Sequence, residues 1–142
     1  MVRAREKGVA GCARFPFMKR AIILVDHGSK RAEANDIVRQ VAAIVQRALP
    51  DVHVSHAHME LASPSIGEAF DACVSGGAGE IIVHPYFLAP GNHGADDIPR
   101  LTREAADRHP GVVARISEPL GVHEKIGEVI LERIETASEI KR

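Results

Sequence analysis

Ile81-Ile82-Val83-His84-Pro85-Tyr86-Phe87-Leu88-Ala89-Pro90-Gly91-Asn92-His93-Gly94-Ala95-Asp96-Asp97-Ile98-Pro99 passes from an apolar strand, through a loop, into the start of a helix. Pro85, Pro90, Gly91 and Gly94 suit turns and unusual backbone angles. The Asp97 carboxylate can accept the free N–H groups of the next helix, and Pro99 fits its first turn. In an open parallel sheet the loops that follow the strands line the ligand crevice. The imidazole on this loop, His93, is therefore a candidate ligand or proton acceptor. The bland alternative is a solvated loop histidine.

The same alternation extends in both directions. Upstream, Ala21-Ile22-Ile23-Leu24-Val25 is a continuous apolar run, as in a strand buried on both faces, and Asp26-His27-Gly28-Ser29 breaks it. A helix is predicted from about Glu33 to Leu49, with Ile37, Val41, Ile44, Val45 and Ala48 on one face. Val52 to Met59 alternates with period two and reads as a strand. Ser65 and Glu68 have capping-box spacing for a second helix that buries Ile66, Ala69, Phe70 and Cys73. Gly76-Gly77-Ala78-Gly79 ends it, and a third strand covers about Glu80 to His84. Downstream, a third helix runs from about Ile98 to Arg108, and a fourth strand from Val112 to Ile116. A last helix runs from about His123 to Thr136, carrying Ile126, Val129, Ile130 and Ile134. Strands alternating with helices in this way imply an α/β fold: a four-stranded parallel sheet, built by right-handed crossovers, with helices on both faces.

Composition narrows the function. The 142 residues suffice for one domain with one core. A net charge of −1 supplies no bulk field for nucleic acid or an anionic membrane. No apolar run approaches the ~20 residues needed to span a bilayer. Cys12 and Cys73 lie far apart, which argues against a disulfide framework, an iron–sulfur cluster or a thiolate zinc site, and suits a reducing cytoplasm. Residues 1–17 carry Arg3, Arg5, Lys7 and Arg14 without a periodic apolar face. They read as a disordered, dispensable extension, with Met18 as a natural start and residues 18–142 as the single domain.

Strand ends carry the chemistry. His27 follows the first strand, Glu60 the second, and His93 lies in the loop after the third, so all three belong to the carboxyl edge. Two imidazoles and a carboxylate suit Fe, Co, Ni or Zn and leave coordination positions open. The structural alternatives are a satisfied turn histidine at His27 and a helix-capping or arginine-paired carboxylate at Glu60. Gly28-Ser29-Lys30-Arg31, at a strand-to-helix turn, suggests an anion cradle: Gly28 permits close backbone approach, the helix that follows presents free N–H groups, and Lys30 and Arg31 add charge. It matches neither phosphate-binding glycine fingerprint, and an ordinary turn with solvated cations is the competing reading. His58 shares the strand face of Glu60 and could support it or be a plain inward histidine. His84 reads as a hydrogen-bonded structural imidazole, His53 and His56 as solvent or core residues, and His109 and His123 as helix-end residues.

Val25-Asp26-His27-Gly28-Ser29-Lys30-Arg31 with Glu33-Ala34-Asn35 resembles the opening motif of the small CbiX/SirB chelatases. Met59-Glu60-Leu61-Ala62-Ser63-Pro64-Ser65-Ile66 resembles their second motif, and Pro85, Phe87, Leu88, Gly91, His93, Asp97, Ile98 and Pro99 their third. Glu118-Pro119-Leu120-Gly121 with His123 resembles the fourth. Asp96 departs from the pattern, since the family often has a basic residue there. The resemblance implies the chelatase-type three-layer α/β sandwich and insertion of a divalent metal into sirohydrochlorin, toward cobalamin or sirohaem. It places His27, His93 and Glu60 in the metal and catalytic site. Sirohydrochlorin is rich in carboxylates, so a near-neutral chain must supply local cations, for which Lys30, Arg31 and Arg100 are the candidates, with Ser29 beside them as a further substrate-binding candidate. Co2+, Fe2+ or Ni2+ would be a substrate, with no tightly bound cofactor. A homodimer is implied because longer relatives hold two such units. A non-catalytic metal or tetrapyrrole carrier on this fold is the alternative. A receiver-like signalling module fits poorly, because Asp26 has no acidic neighbours and His93 occupies the region of the acceptor.

Overall fold

The computed structural model describes residues 19–89 and 94–142. The expected extension of residues 1–17, the Met18 start and the His93 site residue lie outside the described residues. Chain order is β1 (Lys19–Asp26), α1 (Ala32–Ala48), β2 (His53–His58), α2 (Ile66–Ser75), β3 (Ala78–Pro85), α3 (Gly94–Asp107), β4 (Val113–Ile116) and α4 (Glu124–Glu135). The strands form one sheet in the order β2-β1-β3-β4, parallel throughout. The chain leaves β1 toward β2 and later crosses to β3 on the other side. The topological switch point therefore lies between β1 and β3, and the loops after these two strands diverge there.

One face of the sheet presents Ala21, Ile23, Val25, Ile81 and Val83 to α2 and α3, where Ile66, Phe70, Cys73, Ile98 and Ala105 complete the main core. The expected capping box forms: the Glu68 N–H donates to Ser65 Oγ over 3.1 Å, and the Ser65 N–H donates to Glu68 Oε1 over 3.2 Å. The other face packs Leu24 and Val54 against Val38 and Ala42 of α1.

Two expectations need correction. In α1 the fully buried residues are Val38 and Ala42, while Ile37 and Ile44 are 54% and 56% exposed and Ala48 is exposed. The helix covers only the β1–β2 half of its face, so a narrower stripe is buried than the apolar pattern offers. Helix α3 starts at Gly94, one turn before the expected start, which places Pro99 inside the helix. Pro99 gives up one helical hydrogen bond there, and the Asp97 carboxylate pairs with Arg100 at 3.4 Å. An Asp followed two residues later by Pro imitates a helix start, and the pattern misled for that reason. No helix among the described residues is long and apolar enough to cross a membrane.

Candidate active site

The parallel ladder between β1 and β2 runs on past the strand ends. The Met59 N–H donates to the Asp26 carbonyl over 2.9 Å, and the Glu60 N–H donates to the His27 carbonyl over 3.1 Å. His27 and Glu60 are thus held on adjoining segments at the carboxyl edge. Gly28 follows with φ +85°, packed so closely that an added Cβ would sit 1.8 Å from the Glu60 carbonyl oxygen and 3.1 Å from His58 Cβ. The close backbone approach that Gly28 permits is to the Glu60 carbonyl. His58 is only 2% exposed, and its Nδ1 lies 2.6 Å from Asp26 Oδ1. A buried imidazole held by a carboxylate one residue before His27 adds a side-chain tie to the main-chain ones.

The His27 side chain is exposed, and its ring stacks on Phe87 with centroids 4.3 Å apart and planes at 28°. Phe87 is buried just beyond the end of β3, so the stack bridges the switch point. An open cleft of about 270 Å³ lies here, lined by Asp26, His27, Gly28 and Ser29 together with Ala34, Ile37, Tyr86 and Phe87. A larger cavity, about 400 Å³, lies at the opposite edge of the sheet beside Lys19, Arg20, His53 and Cys73. It is remote from the loops that follow the strands and holds none of the expected site residues. The apolar wall comes from residues whose pattern does not announce one: Ile37 has the helical spacing of a core residue, and Tyr86 and Phe87 follow the third strand.

The Ser29 N–H donates to Asn35 Oδ1 over 2.8 Å, Asn35 Nδ2 donates back to the Ser29 carbonyl over 2.8 Å, and Ser29 Oγ accepts the Arg31 N–H at 3.0 Å. The backbone of Ser29 is thereby engaged within the turn. Lys30 and Arg31 are exposed, Arg31 lying 3.9 Å from Glu33. Arg100, on α3, donates to Glu104 over 3.0 Å and to Asp97 over 3.4 Å, so binding an outside carboxylate would compete with these partners. Among the described residues no group of three or more His, Cys, Asp or Glu is placed to hold a metal ion.

The remaining histidines have structural settings. His84 Nδ1 lies 2.6 Å from Ser117 Oγ, which is also within hydrogen-bond distance, 3.2 Å, of the Glu118 carbonyl. Burial holds the His84 pKa below the usual imidazole value. His56 is half-buried and its pKa is likewise lowered, by burial first and then by His58. His53 is exposed. His109 Nε2 lies 2.7 Å from Asp71, and His123 Nδ1 caps α4 by accepting the Lys125 N–H at 3.1 Å.

The family model described as CbiX matches residues 21–137. A chloroplastic sirohydrochlorin ferrochelatase of Arabidopsis thaliana is 43% identical over 114 residues, covering 80% of this chain and 51% of the plant protein. A sirohydrochlorin cobaltochelatase of Sulfurisphaera tokodaii is 39% identical over 114 residues, covering 80% of this chain and 90% of that protein. The chain thus spans about half the length of the plant relative and nearly all of the archaeal one. Among solved structures, the chelatase SirB of Bacillus subtilis subspecies spizizenii in complex with cobalt superposes with TM-score 0.71 at 31% identity, over 84% of this chain and 51% of SirB. Sequence motifs, sheet topology and these matches agree that the chain belongs to the CbiX family.

Proposed function

We propose that this chain inserts a divalent metal, cobalt or iron, into sirohydrochlorin. The observation that carries the reading is the main-chain pairing that holds the His27 and Glu60 segments together at the carboxyl edge, where His27 lines an open, largely apolar cleft at the switch point. Relatives that share the unit are named for ferrochelatase and cobaltochelatase activity on sirohydrochlorin. Insertion requires the macrocycle to lose two pyrrole protons while its centre admits the metal. An imidazole titrates near neutral pH and can accept such a proton or hold the incoming ion. In this reading His27, fixed in orientation by Phe87, and His93 face the macrocycle centre, and Glu60 completes the set. The apolar ring face lies against Ile37, Tyr86 and Phe87. Lys30, Arg31 and Arg100 meet the peripheral carboxylates, each desolvated charged hydrogen bond contributing roughly 1.5–3 kcal/mol. Metal is substrate here, Ni2+ as well as Co2+ and Fe2+ suiting such ligands. Residues 18–142 form the working unit, residues 1–17 are dispensable, the protein is cytoplasmic, and two copies associate as a homodimer.

Purified protein incubated with sirohydrochlorin and each metal, followed by absorbance, tests the reading. Turnover of the macrocycle spectrum with cobalt or iron is the expected result. Binding of metal and macrocycle without insertion would make the protein a carrier instead.

A further inference from the structure

Tyr86 stands where the sheet meets the cleft. Its N–H donates to the Val25 carbonyl over 2.7 Å, so the ladder between β1 and β3 reaches one residue past the end of β3. The last pair in that register is Val25 with Pro85, which sets Tyr86 beside Asp26. The Tyr86 ring is half-buried. It packs against Leu24, Val38, Ala42 and Val54 on the α1 face, and it lines the cleft together with His27.

Packing accounts for the ring and not for its oxygen. The Tyr86 hydroxyl makes no hydrogen bond among the described residues. Nor is it sealed in: the one side-chain oxygen or nitrogen there that is shut off from solvent without a partner is Thr102 Oγ1. A tyrosine with a buried ring usually gives its O–H a protein partner, and a phenylalanine would fill the same space. The other polar groups of the cleft are engaged. The Asp26 carboxylate is held by His58 and has the wrong sign for an anion. Ser29 Oγ already accepts the Arg31 N–H. No lysine or arginine is among the described residues that line the cleft. A phenol can lay its apolar ring against an apolar surface and offer an O–H at its rim. The ligand that suits it is a flat ring system with carboxylates on its edge.

We propose that the Tyr86 hydroxyl is a specificity-determining donor, forming a charge-assisted hydrogen bond to one peripheral carboxylate of the macrocycle while the ring lies against the same ligand. This rests on the insertion reading above and adds to it a substrate contact on the β3 side of the cleft, apart from the Lys30–Arg31 turn. A carboxylate on the edge of the macrocycle takes no part in the exchange of protons for metal. The bond therefore holds the bound substrate and the transition state alike, and it acts on binding rather than on the chemical step.

Tyr86→Phe removes one oxygen and keeps the ring. Full-length parent and variant are titrated with metal-free sirohydrochlorin by absorbance, then assayed for insertion at varied sirohydrochlorin and at varied cobalt. The dissociation constant and the KM for sirohydrochlorin should rise about 10-fold or more, the factor for one hydrogen bond to a charged group. The kcat, the KM for cobalt and the urea midpoint should keep their parent values, a split that a structural role would not produce. Unchanged affinity for sirohydrochlorin would mean that water alone serves the hydroxyl and would overturn the proposal. A fall in kcat at unchanged affinity would place the oxygen at the reacting centre, and a lower urea midpoint at unchanged affinity would make it structural; either overturns the proposal. A parent protein that binds sirohydrochlorin without inserting metal would defeat the insertion reading alone, because the dissociation constants still compare the two side chains. A parent that does not bind it would defeat both.

Discussion

Gly28→Ala is the sharpest test of how the site is held together. At φ +85° the backbone of Gly28 is left-handed, which a side chain opposes by about 1–2 kcal/mol. The new Cβ would also lie 1.8 Å from the Glu60 carbonyl oxygen, where ordinary contact begins at 3.4 Å. The two segments must therefore part by 3.4 − 1.8 = 1.6 Å. Such a movement breaks the Glu60-to-His27 and Met59-to-Asp26 main-chain bonds, each worth about 0.5–1.5 kcal/mol net. Together the terms give a loss of about 2–5 kcal/mol. Urea unfolding followed by circular dichroism measures it, with Gly111→Ala as control, because nothing lies within 4 Å of that position. Displacing His27 from Glu60 by more than 1 Å should also slow metal insertion about 10²-fold. A Gly28→Ala protein within about 1 kcal/mol of the parent, inserting metal normally, would refute the claim that this glycine sets the site.

Four further outcomes are expected. His27→Ala and His93→Ala should each fold and lose about 10²-fold or more in insertion rate; near-normal turnover of both with sirohydrochlorin and cobalt would mean the site is elsewhere. Glu60→Gln should give a smaller but clear loss in the same absorbance assay, while His109→Ala, remote from the cleft, should leave the rate unchanged. Burial lowers the pKa of His84 and His56, so each takes up its proton more readily in the unfolded chain. Their contribution is complete above about pH 6.5 and is lost as pH falls through the lowered folded-state values, so the urea midpoint should drop between about pH 7.5 and about pH 5.5, less so in His84→Gln. Deleting residues 1–17 should leave the urea midpoint and insertion rate intact; a stability loss above about 1 kcal/mol would show that the segment packs.

Much of the fold was legible because its signals are local and redundant. The apolar runs at Ala21–Val25 and Ile81–Val83 leave no alternative to buried strands, and Ser65 with Glu68 marks a helix start that forms as expected. What misled were patterns that tertiary context reassigns. Ile37 has the spacing of a core residue, yet α1 sits over only half of the sheet and leaves that side chain at the cleft. Asp97 and Pro99 have the chemistry of a helix start, yet the helix begins a turn earlier. The stripe on α4 was legible as a stripe, and spacing alone says nothing about which surface meets it.

The candidate site divides along the same line. Strand ends are readable in sequence, so the pattern alone puts His27 and Glu60 on one edge. How they are held is not readable, because the restraints link residues distant in the chain. Gly28, after a strand and before a helix, has the setting of close backbone approach without naming what approaches. Its space is taken by the carbonyl of Glu60, 32 positions later. The imidazole–carboxylate contact between His58 and Asp26 spans the same separation. Period two put His58 on the face of Glu60 without naming its partner. The stack of His27 on Phe87 joins two loops that part at the switch point, and only the sheet order β2-β1-β3-β4 makes them neighbours. In the proposed site the reacting groups are exposed side chains on segments whose positions are set by buried, non-local contacts. Mutations at Gly28, Asp26 or His58 should thus impair insertion through geometry, whereas those at His27 and Glu60 should impair it with the fold intact.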